Sequence, residues 1–267
     1  MVSTGTQSAE ARGAPLIRVE NLRAAYGDTM IFSDVSFEVN EGEVVVIVGD
    51  SGCGKSTLLK HMIGLYQPAG GRIFVSGYDV AGATGDERRA MLRTFGVSYQ
   101  SGALFGSMTL RENVRLPLEE FTDLPSDAMD VIALAKLTMV GLGHAADLLP
   151  SEVSGGMQKR AAIARAMALD PKVIFLDEPS AGLDPITSAS LDSLILDLRE
   201  MLSMTFVVVS HELPSIFTIA DRCIVLRADK KTKIAEGPPG ELRDHPVDDW
   251  MRRFFHRESE SSQKGNP

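Results

Sequence analysis

The segment Gly49-Asp50-Ser51-Gly52-Cys53-Gly54-Lys55-Ser56-Thr57 has the spacing of a Walker A phosphate loop. Its glycines allow backbone N–H groups to turn inward around phosphate oxygens, where side chains would block the approach. The phosphate would then sit at the N-terminus of the next helix, where unpaired amides and the helix dipole favour negative charge. Lys55 is placed to reach the β- and γ-phosphates of a nucleoside triphosphate, and the Ser56 hydroxyl to coordinate Mg²⁺. An apolar run at 44–48 precedes the loop and a helical stretch at 58–64 follows it, as the motif requires.

Two further segments carry compatible chemistry. Lys172-Val173-Ile174-Phe175-Leu176-Asp177-Glu178-Pro179 reads as a strand buried on both faces and tipped with two acids. Ligands of open parallel sheets bind at the carboxyl ends of strands. Asp177 is therefore expected near Mg²⁺, and Glu178 is expected to polarise an attacking water as general base. In Val153-Ser154-Gly155-Gly156-Met157-Gln158, a Ser-Gly-Gly opens a helix expected over 158–169, another small, amide-rich anion site. One Walker A loop with two anion sites implies that each copy of the chain offers its Ser-Gly-Gly to the nucleotide of another copy.

The elements that must position these groups can be read from periodicity. Strands are expected near 16–22, 33–39, 43–48, 72–76 and 95–99, with a helix over 54–65 and a polar connection at 82–89. Residues 109–168 lose strand alternation and read as mainly helical. From 172 onward, strands at 172–177, 205–210 and 222–227 alternate with helices at 187–203 and 213–219, which implies a parallel sheet with crossover helices. Val247, Trp250, Met251, Phe254 and Phe255 share one face of a helix expected over 246–257, with Arg252, Arg253 and Arg257 opposite. That face could dock on the chain's own core or on a neighbouring subunit. The arms at 1–15 and 258–267 are polar and expected to be disordered.

Composition narrows the classes. With 27 Lys and Arg against 36 Asp and Glu, the net charge of −9 argues against a sequence-independent grip on nucleic acid. No apolar run approaches the roughly 18 residues that cross a bilayer. The first fifteen residues lack the apolar stretch of a signal peptide. Two cysteines, one inside the phosphate loop, argue against a disulfide and fit a reducing compartment.

Taken together, the Walker A loop, Gln100, Ser154-Gly155-Gly156, Asp177-Glu178, Asp184 and His211 resemble the full motif set of the ATP-binding cassette (ABC) superfamily, over residues 17 to about 240. The resemblance implies an α/β fold: a P-loop, RecA-like core with an antiparallel β subdomain and an inserted helical subdomain at about 101–168. The cassette itself would span 16–245. It also implies a head-to-tail homodimer closing over ATP and Mg²⁺. On that resemblance Tyr26 stacks on adenine, although a strand-end tyrosine would read the same way. Gln100 contacts Mg²⁺ and relays nucleotide state, Asp184 lies on the loop crossing the dimer interface, and His211 sits at the γ-phosphate. Gly49, Ser51, Gly52, Cys53, Gly54 and Thr57 complete the nucleotide contacts. Met157 stands where the family usually has glutamine.

Tyr99-Gln100-Ser101-Gly102-Ala103-Leu104-Phe105, Ser154-Gly155-Gly156-Met157 and Leu183-Asp184-Pro185-Ile186-Thr187-Ser188 look like the lipid-transport ATPases that serve MCE-protein systems, the Mla type. This implies a peripheral ATPase on the cytoplasmic face of an inner membrane, with a permease dimer, an MCE lipid-binding protein and, in some systems, a small STAS-domain subunit. Phospholipid movement between inner and outer membranes is the expected task. Residues 101–125, with Leu104, Phe105, Met108, Leu110 and Leu116, could accept a permease helix or simply pack the helical subdomain. The alternatives are a subunit for amino acids, metals or lipoproteins, a soluble ABC protein of translation or DNA repair, and a scaffold without turnover. The double cassette or Cys-x-x-Cys hook of the soluble class is absent, and Glu178 with His211 argues for turnover.

Overall fold

A computed structural model describes residues 14–27 and 29–258. The expected arms therefore lie almost wholly outside the described residues. Among the described residues, ten strands form one curved sheet. They are β1 (Ile17–Tyr26), β2 (Thr29–Val39), β3 (Val44–Gly49), β4 (Gly70–Val75), β5 (Tyr78–Asp79), β6 (Phe95–Ser98), β7 (Val173–Asp177), β8 (Thr205–Val209), β9 (Arg222–Arg227) and β10 (Thr232–Gly237). Their order across the sheet is β5-β4-β1-β2-β10-β9-β3-β8-β7-β6. From β9 to β6 neighbouring strands are parallel, whereas β5, β4, β1 and β2 pair antiparallel, so a parallel core carries an antiparallel flank.

The central strands are buried on both faces, which is why their sequences are unbroken apolar runs. Val44, Val46 and Val48 of β3 point into one core, and Val45 and Ile47 into the other. In β7, Ile174 and Leu176 face the first core while Val173 and Phe175 face the second. The second core is closed by the helix after the phosphate loop, α1 (Lys55–Met62), through Leu58, Leu59 and Met62.

The first core is covered by the helical region: α3 (Leu110–Phe121), α4 (Ser126–Met139) and α5 (Gly155–Ala166), joined by α6 (Pro185–Leu202) and α7 (Leu213–Ile219). Side chains fix several starts. Thr109 and Glu112 form a reciprocal capping box on α3. Asp184 accepts from the Ile186 and Thr187 amides at the head of α6, where Pro185 occupies the first turn.

Several expectations shift. The stretch expected to be a polar connection includes α2 (Gly85–Leu92), an amphiphile anchored by buried Met91. α5 begins at Gly155 rather than at 158, because the Ser154 hydroxyl caps it. β1 and β2 run several residues beyond the expected strands and meet as a hairpin at Tyr26 and Thr29. β10 and α8 (Pro239–Asp244) were not anticipated. The tail helix is α9 (Asp249–His256), shorter than expected; Met251 and Phe255 are buried in the chain's own core, and Phe255 meets Phe217 edge-on. Among the described residues no helix is long and apolar enough to cross a membrane.

Candidate functional site

Three adjacent parallel strands, β3, β8 and β7, deliver the site at their carboxyl ends. β3 leads into the phosphate loop, β8 ends just before His211, and β7 ends in Asp177 and Glu178. The loop's backbone needs its glycines. Gly52 and Gly54 have φ of +77° and +97°, and a Cβ at Gly54 would come within 2.6 Å of the Phe32 ring. A Cβ at Gly49 would meet the Leu226 carbonyl oxygen at 2.5 Å. Lys55 Nζ folds back to donate to the carbonyl oxygens of Gly49 and Asp50, at 3.0 and 3.1 Å. That posture holds the loop in shape and keeps a cation at its centre.

Ser56 Oγ donates to Asp177 Oδ1 at 3.2 Å, so two of the three residues expected at Mg²⁺ already touch. Glu178 Oε1 lies 2.8 Å from His211 Nδ1, and Glu178 Oε2 is buried with no hydrogen-bond partner. A buried acceptor left unsatisfied is costly, and it marks a place where a donor is wanted. Glu178 also sits in the left-handed region, φ +49°, while its own N–H donates to the Val209 carbonyl. Strain of this kind persists only where the surroundings fix the residue. The carboxylate is 12% exposed and the imidazole 56%, so the pair joins an inner acid to an outer, movable ring. An anion-binding loop centred on Lys55, adjacent hard-oxygen ligands and an orphaned acceptor fit a nucleoside triphosphate with Mg²⁺.

The remaining predicted residues divide. Cys53 is buried, and burial pushes its thiol up although Lys55 pulls it down, so it packs as a neutral group. Ser51 and Gly52 are exposed at the loop's rim, while Thr57 follows Ser56 in the first turn of α1, its carbonyl facing the buried His61 ring. Tyr26 is 73% exposed at the β1–β2 turn, free to present a ring face. Ser154 and Gly155 are exposed at the head of α5; Gly156 is buried against Thr187, where a Cβ would come within 2.4 Å of Cγ2. Ser154, Gly155 and Gly156 thus neighbour the Asp184 segment, with Ser154 and Gly155 turned to solvent. Met157 packs partly into the first core, so it anchors the helix while its amide donates to Ser154 Oγ.

Gln100 lines a recess with Lys60, Tyr99, Ser101, Asp177 and Gly182. Sequence reasoning missed what fixes it. Lys159 of α5 donates to the Gln100 carbonyl, and Arg165 donates to those of Gly102 and Ala103 at 2.9 and 2.8 Å. Lys159 and Arg165, two of the three basic residues in an otherwise small, apolar helix, were the available signal. Burial pulls the Lys159 ammonium below its ordinary range, against the opposing pull of Glu178 and Asp177. Leu110, expected in a permease groove, is fully buried in the first core. Asn113, also buried, stitches 105–109 by bonding to Phe105, Met108 and Thr109.

The family model described as "ABC transporter" matches residues 32–181. The chain is 43% identical over 227 residues to the intermembrane phospholipid transport system ATP-binding protein MlaF of Haemophilus influenzae, covering 85% of each. It is 42% identical over 242 residues to the probable ribonucleotide transport ATP-binding protein mkl of Mycobacterium leprae, covering 90% of this chain and 68% of that one. Its fold matches the dimeric post-hydrolysis state of the ATP-binding cassette MJ0796 bound to ADP and Pi, with a TM-score of 0.74 and 30% identity, over 83% of this chain and 98% of that one.

Proposed function

The chain belongs to the ABC transporter family and is an ATPase working with ATP and Mg²⁺, and we propose that it powers phospholipid movement between an inner and an outer membrane. The observation that carries the chemical part is the meeting of the phosphate loop, the Asp177-Glu178 pair and His211 at the ends of β3, β7 and β8. The similarity to MlaF supports the lipid part.

Bound ATP supplies the phosphoryl group to be transferred, and Mg²⁺ the countercharge. In this reading the residues 49–57 amides and Lys55 hold the phosphates, Ser56 and Asp177 hold the metal, and Tyr26 holds the base. Gln100 approaches the metal from the α5-anchored loop. Glu178 Oε2 accepts the proton of the attacking water. His211 Nδ1–H keeps the carboxylate aimed by donating to Oε1. Ser154 and Gly155, exposed at the head of α5, and the Gly156 amide behind them serve the nucleotide of a second copy, and Asp184 lies where the two copies cross. Each chain then closes on its partner with ATP and opens after hydrolysis.

Work must pass to a membrane-spanning permease. A groove of about 220 Å³ lined by Leu92, Phe95, Val97, Pro117, Phe121 and Leu169 suits an apolar helix from that partner. Arg165 borders it while gripping the Gly102 and Ala103 carbonyls, so a helix seated there would feel the Gln100 loop. On the same reading the chain sits at the cytoplasmic face of the inner membrane, where some systems add a small STAS-domain subunit to the ATPase, and an MCE lipid-binding protein lies beyond that membrane. Affinity purification from detergent-solubilised membranes tests this: a permease, an MCE protein and bound phospholipid are expected. A soluble amino-acid- or metal-binding protein in their place, or bound ribonucleotide cargo, would replace the lipid assignment. Lys55→Ala should cut ATP turnover at least a hundredfold, roughly the effect of losing one preorganised charge-stabilising donor.

A further inference from the structure

Asp50 places a carboxylate inside a loop built to hold a polyanion, an unfavourable like-charge arrangement unless it is compensated. The compensation comes from Arg227, at the end of the neighbouring strand β9, where Gly49 and Leu226 are in register. Asp50 Oδ1 accepts the Ala228 N–H at 3.1 Å, and Oδ2 lies 3.6 Å from Arg227 Nε. That Nε is buried and has no hydrogen-bond partner, so it is a donor held in reserve beside the carboxylate.

The same guanidinium is fixed from the far side. It pairs with Asp229 at 3.0 Å and with Asp248, the residue that caps α9. It also lies over the Trp250 ring, 5.4 Å from its centroid, and Trp250 stacks on Phe254. With its side chain only 14% exposed, Arg227 is a mostly enclosed cation shared by three carboxylates. Losing one cation in such a cluster leaves negative charge uncompensated beside the phosphate loop.

We propose that Arg227 is a positioning residue that neutralises Asp50 and thereby makes nucleotide affinity depend on the docking of helix α9. The proposal rests on the assignment of residues 49–57 as the phosphate site. It concerns affinity and leaves the chemical step, at Glu178, untouched.

The test is a steady-state ATPase cycle on the full chain. Arg227→Gln should raise KM for ATP about tenfold, the scale of one unscreened nearby charge, with the change falling on KM and not on kcat. Adding Asp50→Asn should return KM to near its original value, since the repelling charge is gone. Asp50→Asn alone should lower KM about two- to threefold, because one repelling charge is removed from beside the phosphates while Arg227 stays held by Asp229 and Asp248. Trp250→Ala, which removes the ring bracing the guanidinium, should raise KM by about two- to threefold in the native background and not in the Asp50→Asn background. An unmoved KM in Arg227→Gln overturns the proposal, and so does a rise that Asp50→Asn fails to reverse. If Arg227→Gln does not fold, the Asp50→Asn and Trp250→Ala arms decide alone. Lys55→Ala is the control: its loss of turnover upholds the phosphate site whichever way the Arg227 cycle falls.

Discussion

Glu178 and His211 lie 33 positions apart in the chain and 2.8 Å apart in space. If the imidazole acts by aiming the carboxylate, the two residues form one unit, and their substitutions should not multiply. Glu178→Gln should lower kcat by about a hundredfold or more. His211→Ala should lose a large part of that, and the double variant should be no slower than Glu178→Gln alone. Single-turnover measurements check this; a double variant slower by the product of the two effects would make them independent contributors. The contiguous motif residues were legible in sequence because their spacing is set by local geometry: a loop of glycines, a strand-end acid pair, a helix cap. Lys159 and Arg165 were not, because what they hold, the carbonyls of Gln100, Gly102 and Ala103, lies some sixty positions away and carries no side-chain signal. The Asp50–Arg227 contact was hidden for the same reason.

At the scale of elements, the strands buried on both faces declared themselves as apolar runs, whereas β10, with the half-exposed sequence TKIAEG, gave neither a run nor alternation. α2 was obscured by its Gly-Asp-Glu-Arg-Arg opening, which reads as a loop until Met91 is seen buried beneath it. One tie across elements has a measurable consequence. Arg222 of β9 forks onto Glu43, just before β3, at 2.7 and 2.9 Å, and also reaches Glu236 of β10 and the Glu38 carbonyl of β2. Burial pushes the Glu43 carboxyl up, but hydrogen bonds from Arg222 and Asn40, with the guanidinium charge, outweigh it and hold the group below the ordinary glutamate range. A folded-state value below the unfolded one stabilises the fold above the unfolded value, and that share is lost as pH falls through the folded one. Urea denaturation between about pH 6 and pH 3 should therefore show a smaller loss of stability on acidification in Glu43→Gln than in the parent chain. Equal slopes would remove Glu43 from the acid response.

On the scale of the whole molecule, the surfaces left uncovered argue for a second copy. Ser154 and Gly155 are exposed, Tyr26 is exposed, and Ile186, at the head of the helix capped by Asp184, is 83% exposed. A serine–glycine anion site turned to solvent has no phosphate of its own to bind, since the chain's phosphate loop is built at the ends of a different set of strands. Each of two facing copies could supply what the other lacks, and the match to a dimeric ADP-bound cassette agrees with this arrangement. Blocking hydrolysis should then trap the pair: Glu178→Gln with ATP and Mg²⁺ should sediment as a dimer and revert to monomer when Mg²⁺ is chelated. Ser154→Arg in the Glu178→Gln background should abolish the dimer, because a bulky side chain would stand between the helix N-terminus and the partner's phosphate. The same substitution should cost the monomer about 1 kcal/mol, the loss of the Ser154 helix cap, and little more, because the position is exposed. Sedimentation velocity reads the first effect and urea denaturation the second. A dimer that survives Ser154→Arg would mean that the copies meet through some other face, and the exposed Ser-Gly-Gly would then have to be assigned a different ligand.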